Sequence, residues 1–329
     1  MGTSFVGLYA SIDSDNAPIK MYASQIMLRL FHRPGSTRSH FGQLWKEFFM
    51  ALRLKRLLDD ITYSWTSMPK SQALRWYGSI LRHAPTVWKQ KKFYAADRDM
   101  VGDIRFRMFG REFSVDTAIL SARPGNPPYS FYRELFVRQI YFRAFKHLDF
   151  TTTLDLGCNV GVVTSVMKQL GGPESRAVGV DARVYEDNAF RTRMEQTPGV
   201  TIVKGVLCGE SIRHDPAALS AMCDPYKLDA ATATTVGEVM DKYDLQHVDF
   251  LKMDIEGAEF AIFRDSAEWL KRVDNFAMEV HNYIGDPTEI VKRFEESGFK
   301  VKWADENGDP VESRQACYIY ASKIGSLKD

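Results

Sequence analysis

At 329 residues the chain has room for one large domain, or for one domain with a substantial extension. With 45% hydrophobic and 26% charged residues, it has enough apolar matter for a real core, which excludes a disordered class. A formal net charge of +1 excludes a global electrostatic pull toward nucleic acid or membrane. The four cysteines, Cys158, Cys208, Cys223 and Cys317, are far apart with no CxxC pair. They are expected as free thiols in a reducing compartment. No apolar run is long enough to span a bilayer. The first twenty residues lack the basic start and apolar stretch of a signal peptide, and Val6 breaks the myristoylation pattern. A cytoplasmic protein without a transmembrane segment is the expectation.

Up to about residue 100 the periodicity is helical. Phe41, Leu44, Trp45, Phe48, Phe49 and Leu52 recur at steps of three and four, and Ala73, Leu74, Tyr77, Ile80 and Leu81 do so between Pro69 and Pro85. Between Lys20 and Arg56 eight Lys/Arg face a single acid, Glu47. Such a basic amphipathic stretch can bind an anionic surface, but a packed helix with a solvated charged face explains it more simply. Residues 1–102 are therefore read as a helical extension that caps the substrate site or makes a homo-oligomer contact. The segment 104–116 alternates around Gly110 and predicts a β-hairpin, within a linker spanning 103–130. A helix is expected from 131 to 147.

From Thr152 onward strands and helices alternate. The expected strands are 152–156, 177–182, 201–207, 248–253 and 276–281, which implies a parallel sheet covered on both faces. FKVKWADENGDP and ACYIYAS then read as two terminal strands that add an antiparallel hairpin. The fold class expected for 131–329 is α/β and Rossmann-like: a mostly parallel, seven-stranded sheet.

The most informative segment runs from Thr153 to Gly161, where an apolar strand enters a glycine-bearing turn and an apolar helix follows. Glycine allows a sharp turn and the close approach of a ligand. A dinucleotide fingerprint would need glycines where Asn159 and Val162 stand, so a pyrophosphate is not provided for. The pattern present, Asp155-x-Gly157-x-Asn159-x-Gly161, resembles the first motif of S-adenosylmethionine (SAM) methyltransferases. An acid such as Asp155 suits that cationic ligand. Asp181, 26 residues later at the end of the second strand, is placed to accept from ribose hydroxyls. Ala182 and Val206 complete the expected cofactor contacts.

Lys252-x-Asp254-x-Glu256-Gly257-x-Glu259 resembles the most characteristic motif of the FkbM family of SAM methyltransferases. Thr235 to Met240 is similar to that family's short helix, and Met278-Glu279-Val280-His281 to its next strand. The resemblance covers about residues 150–305. It departs at Cys158, where Ala is usual, and at Asp181-Ala182, where Glu-Pro is usual. It implies methylation of a hydroxyl on a sugar or another small metabolite.

Methyl transfer to an alcohol benefits from a base that removes the proton. Asp254 is expected to border cofactor and acceptor, with His281 as the base because imidazole titrates near neutrality. Glu256 is a third candidate; Glu259 is expected instead as a helix N-terminal carboxylate. Asp254, Glu279 and His281 have donor types that suit a divalent ion, but no tight ligand motif is present and none is predicted. Asn126-Pro127-Pro128-Tyr129 matches the catalytic tetrapeptide of adenine-N6 methyltransferases, in which the Tyr stacks on an extruded base. It follows Ser121 to Gly125 rather than an apolar strand, so nucleic acid is only the alternative acceptor. A SAM-binding protein without catalysis is the other alternative.

Overall fold

A computed structural model describes residues 57–90, 92–117, 128–183, 192, 194–265, 267–305 and 309–328. The expected helix face from Phe41 to Leu52, the basic stretch from Lys20, and Asn126 and Pro127 lie outside them. The chain divides into two compact units, Met1–Lys55 and Arg56–Asp329, and the described residues all belong to the second. The helices that precede residue 102 are thus part of the unit that carries the sheet.

After helical residues 57–67 come α1 (Lys70–Arg82), α2 (Ala84–Gln90) and α3 (Tyr94–Asp97). The side chain of Trp76 on α1 is fully buried and donates to Asp97 Oδ1 at 3.0 Å. The expected hairpin is present as β1 (Asp103–Met108) and β2 (Arg111–Asp116). Phe109 and Gly110 both have positive φ, the conformation a tight two-residue hairpin turn needs. Ile104, Phe106 and Met108 alternate inward, as a half-buried strand requires.

The helix expected over 131–147 is shorter. It consists of α4 (Pro128–Tyr132) and one π turn, Arg133–Val137. Gln139, at φ 55°, breaks the helical course and the chain continues in turns. Buried Arg133 pairs with Asp60 and Asp97, both fully buried, and so ties this segment to the preceding helices.

The sheet contains β3 (Thr152–Leu156), β4 (Arg176–Asp181), β5 (Val200–Lys204), β8 (Val248–Met253), β9 (Val273–Glu279), β10 (Lys300–Ala304) and β11 (Tyr318–Ser322). Its spatial order is β10-β11-β9-β8-β3-β4-β5. All neighbours are parallel except β11, which runs antiparallel to both β9 and β10. This is the Rossmann-like fold of SAM methyltransferases, with the terminal antiparallel hairpin that the sequence predicts. The strand expected over 201–207 is divided at Gly205. Val206–Leu207 forms a separate short β6, paired with β7 (Ala233–Thr234).

Helices cover both faces. α5 (Val162–Gly171) packs Val162, Val163, Val166, Met167 and Leu170 into one core, together with the hairpin and the Phe142–Phe150–Phe250 group. The hairpin holds α5 in return, because Gln169 bonds the backbone of Ser114 in both directions. The opposite core joins Leu154, Leu156, Leu251, Met253 and Phe276 with α8 (Val236–Lys242), α9 (Glu259–Arg264) and α10 (Pro287–Glu296). Between β7 and β6 in sequence order lie the short α6 (Glu210–Arg213) and α7 (Pro216–Cys223). β3 and β8 are adjacent and their crossovers leave in opposite directions, so the carboxyl ends of these two strands open into a crevice.

Candidate active site

The crevice is a small cleft of about 120 Å³, partly open to solvent. Gly157, Asn159 and Asp181 lie along one side and Lys252, Asp254 and Glu256 along the other. Phe131, Leu135 and Tyr141 from the α4 segment and its continuation also line it.

The glycine loop is tightly constrained. Gly157 has φ +77°, and a Cβ there would fall 1.6 Å from the carbonyl oxygen of Asp254. Only glycine lets the β3 turn sit against the end of β8. Gly161, at φ +88°, starts α5. Asn159 adopts φ 54°, and its backbone N–H donates to Asp181 Oδ2 at 2.7 Å; the N–H of Arg183 donates to Oδ1 at 2.7 Å. Burial raises the Asp181 carboxyl above the usual range against these two hydrogen bonds. Each oxygen keeps a second lone pair for a ligand. The Oδ1 of Asn159 is buried and has no hydrogen-bond partner among the described residues.

Asp155 does not reach the cleft. Its carboxylate is fully buried, accepts from Thr164 Oγ1 at 2.7 Å and pairs with Lys252 Nζ at 3.2 Å. Lys252 in turn donates to the carbonyl of Gly157 at 2.8 Å and lies 5.2 Å from the Tyr141 ring centroid. Burial disfavours its charge most, but Asp155 and Asp254 together outweigh that and the ammonium is held above its ordinary range. The pair is a strut behind the loop, and Asp155 is absent from the cleft lining. Ala182 and Val206 are also absent from the cleft lining. They belong to a small separate core with Cys208, Leu219, Cys223 and Ala233, because the chain turns outward after β4 and breaks at Gly205.

Asp254 follows β8 directly, and its backbone N–H donates to Leu156 O at 2.9 Å. Its Oδ2 accepts from the Tyr141 hydroxyl at 2.9 Å. Glu279, at the end of β9, lies behind Tyr141. It accepts from Tyr141 at 3.5 Å and from Tyr318 at 3.4 Å. Burial, then the Asp254 charge, push the Glu279 carboxyl up to about 8, so it is mostly neutral at pH 7. Neither Tyr141 nor Tyr318 carries a sequence signal for this role: Tyr141 lies 113 residues from Asp254.

His281 is held between two carboxylates. Its Nδ1 lies 3.0 Å from Glu259 Oε1 and its Nε2 3.5 Å from Glu256 Oε2. Burial works against the imidazolium, but the hydrogen bonds to Glu256 and Glu259 overcome it and push His281 up to about 11. In the imidazolium both nitrogens donate, so any role that uses the Nε2 lone pair requires that nitrogen first to give up its proton. Glu259 does open α9 as expected, yet it is fully buried and also anchors this ring. Glu256 has φ 57° and an 87% exposed side chain at the cleft rim; the hydrogen bond from His281 holds its carboxyl below the usual range.

Tyr129, from the tetrapeptide of the nucleic-acid alternative, is fully buried. It contacts Met68 Sδ at 3.0 Å and packs against Trp76. It cannot stack on an extruded base.

The fit to SAM follows from the residues themselves: a cradle that a Cβ at position 157 would fill, an unpartnered Asn159 amide oxygen, and a carboxylate at the end of β4. No curated protein matches the chain. Among solved structures it is similar to a precorrin-6y C5,15-methyltransferase from Geobacter metallireducens, with 16% identity over 56% of this chain and 86% of that one and a TM-score of 0.35. It is also similar to Aeropyrum pernix fibrillarin with natively bound S-adenosyl-L-methionine (15%, 67% and 82%, 0.35) and to a methyltransferase FkbM from Methylobacillus flagellatus (13%, 56% and 47%, 0.35). The strand order defines the fold. Residues 211–301 match the family model described as Methyltransferase FkbM domain, a span that includes the Lys252-to-Glu259 motif. Over that span the chain is similar to the FkbM methyltransferase domain, and the span lies on a seven-stranded, mostly parallel sheet.

Proposed function

We propose that this protein methylates a hydroxyl group on a sugar or other small metabolite, in the cytoplasm, with Asp254 as the residue that takes the hydroxyl proton. The observation that carries this reading is the position of Asp254. Its backbone abuts Gly157 of the cofactor loop, and its carboxylate lines the same cleft as Asn159 and Asp181. SAM supplies an electrophilic methyl group on a sulfonium when bound. Asn159 and Asp181 would hold it, with Gly157 and Gly161 giving it room. The acceptor then needs alignment and loss of one proton, and those tasks fall to this chain.

Tyr141 orients the Asp254 carboxylate from behind, and Glu279 stands next to it as a largely neutral acid. One proton shared over the Asp254–Tyr141–Glu279 group avoids placing two charged carboxylates side by side. Phe131 and Leu135 give the cleft an apolar wall that limits water at the reacting centre.

The test is calorimetric titration of SAM into the protein and into Asp181→Ala, with a dinucleotide as control, followed by a screen of hydroxylated metabolites for S-adenosylhomocysteine release. Saturable SAM binding lost in Asp181→Ala, plus turnover lost in Asp254→Asn but not SAM binding, is the expected result. A folded protein that ignores SAM sinks the reading. SAM binding without turnover on any acceptor favours the non-catalytic alternative.

A further inference from the structure

We propose that Asp254, Glu256 and His281 form a divalent-cation site on the acceptor side of the cleft, and that the acceptor hydroxyl coordinates that cation. The second clause rests on the methyltransferase reading; the first does not. One ligand atom from each of the three residues lies within 4.8 Å of the other two. Ligands on a common ion of this kind stand roughly 3 Å apart, at metal–oxygen and metal–nitrogen distances of about 2.1 Å. His281 Nε2 and Glu256 Oε2, at 3.5 Å, are close to that separation already. The 87% exposed Glu256 side chain is free to close the remainder.

Three further features turn this cluster into a site. The first is orientation. Nδ1 of His281 is anchored by Glu259, whose carboxylate is fully buried, and this aims Nε2 toward Glu256. A buried carboxylate behind an imidazole is the usual arrangement that fixes a metal-binding histidine. The second is charge. Glu256, Glu259 and Glu279 face one imidazole beside Asp254, while the nearby ammonium of Lys252 is shared between Asp155 at 3.2 Å and Asp254 at 3.9 Å. The third is access. Asp254 and Glu256 line the cleft, so a cation held there keeps positions open for an acceptor oxygen. A bound cation would lower the cost of losing the hydroxyl proton beside Asp254. The donor set of two carboxylates and one imidazole suits Mn²⁺ or a similar ion.

His247, Asp249 and Asp274 meet the same proximity criterion at the opposite end of β8 and β9. There the histidine side chain is 57% exposed, and one carboxylate oxygen of Asp249 is taken by the backbone of Thr152. That cluster supplies an internal control.

The experiment is Mn²⁺ titration of the chelator-treated full chain, read by the loss of the free-ion EPR signal. One saturable site is expected. Affinity should fall at least tenfold in Glu256→Gln and His281→Ala and by about tenfold in Glu259→Gln, and should not change in His247→Ala. Glu256→Gln keeps the test valid should His281→Ala fold poorly, since residue 256 is exposed. Absence of saturable binding, or binding that survives Glu256→Gln, or binding lost only in His247→Ala, overturns the site. SAM calorimetry on the same sample separates the two readings: intact SAM binding without Mn²⁺ binding rejects only the cation site, and failure of SAM binding rejects the methyltransferase reading itself.

Discussion

On the β3–β4 side of the cleft the shape is set by main chain. Gly157 and Gly161 have backbone angles that side chains resist, and Asp181 is gripped by the N–H groups of Asn159 and Arg183. On the β8–β9 side the shape is set by charged side chains that hold one another: Asp254 with Tyr141, His281 with Glu256 and Glu259, and Glu279 between two tyrosines. The first side presents a fixed mould. The second is built from ionisable side chains that face one another, and there burial and pairing push both Glu279 and His281 upward. Lys252 is the bridge between them, rooted in β8 but bonded to Asp155 and Gly157 of the other side.

The largest expected effect comes from breaking the mould. Gly157→Ala would add a methyl group 1.6 Å from the Asp254 carbonyl in a left-handed backbone, so both sides must part. Overpacking and backbone strain together cost about 3–5 kcal/mol, and thermal unfolding and SAM calorimetry should both register the loss. Removing the bridge comes next. Lys252→Met leaves the fully buried Asp155 without its counter-charge, a loss of about 3–5 kcal/mol in urea unfolding. Adding Asp155→Leu should restore part of it. A double mutant no more stable than Lys252→Met would show that the strut's value lies in the Gly157 bond alone.

The charged side should show itself in pH dependence. His281 is held up to about 11 from 6.5, so the stability it contributes is full below about pH 6.5 and is lost as pH rises toward 11. In Glu259→Gln, measured in metal-free buffer, that decline between neutral and alkaline pH should flatten. An unchanged slope would mean that Glu259 does not hold the imidazolium. The smallest effect belongs to Cys158→Ala on the mould side. Cys158 is buried and lines the cleft beside Gly179. Its thiol makes only a 3.8 Å contact with the adjacent backbone, so about 1 kcal/mol or less and unchanged SAM affinity are expected.

The mould could be read from the sequence because its parts are local. Gly157, Asn159 and Gly161 are within five positions, and Asp181 ends the next strand. The strand extents at 152–156 and 248–253 match the structure for the same reason: alternation and apolar runs are short-range signals. The charged side could be read only as residue types. The motif names Lys252, Asp254, Glu256 and Glu259, but whether His281 meets a substrate or two carboxylates depends on where β9 stops and α9 starts. Tyr141 is the clearest case, since it reaches Asp254 only because Gln139 breaks a helix that propensity would continue.

By itself the sequence determined the Rossmann-like sheet and the glycine turn at its switch point, since each is written in spacing and periodicity along one stretch of chain. Tertiary structure alone decided which acids are spent. It turned Asp155 inward as a strut, withdrew Ala182 and Val206 into a separate core, and set His281 between Glu256 and Glu259. The physical reason is that a titratable group's role is set by its burial and by the charges beside it, and those neighbours come from strands and turns far apart in the chain.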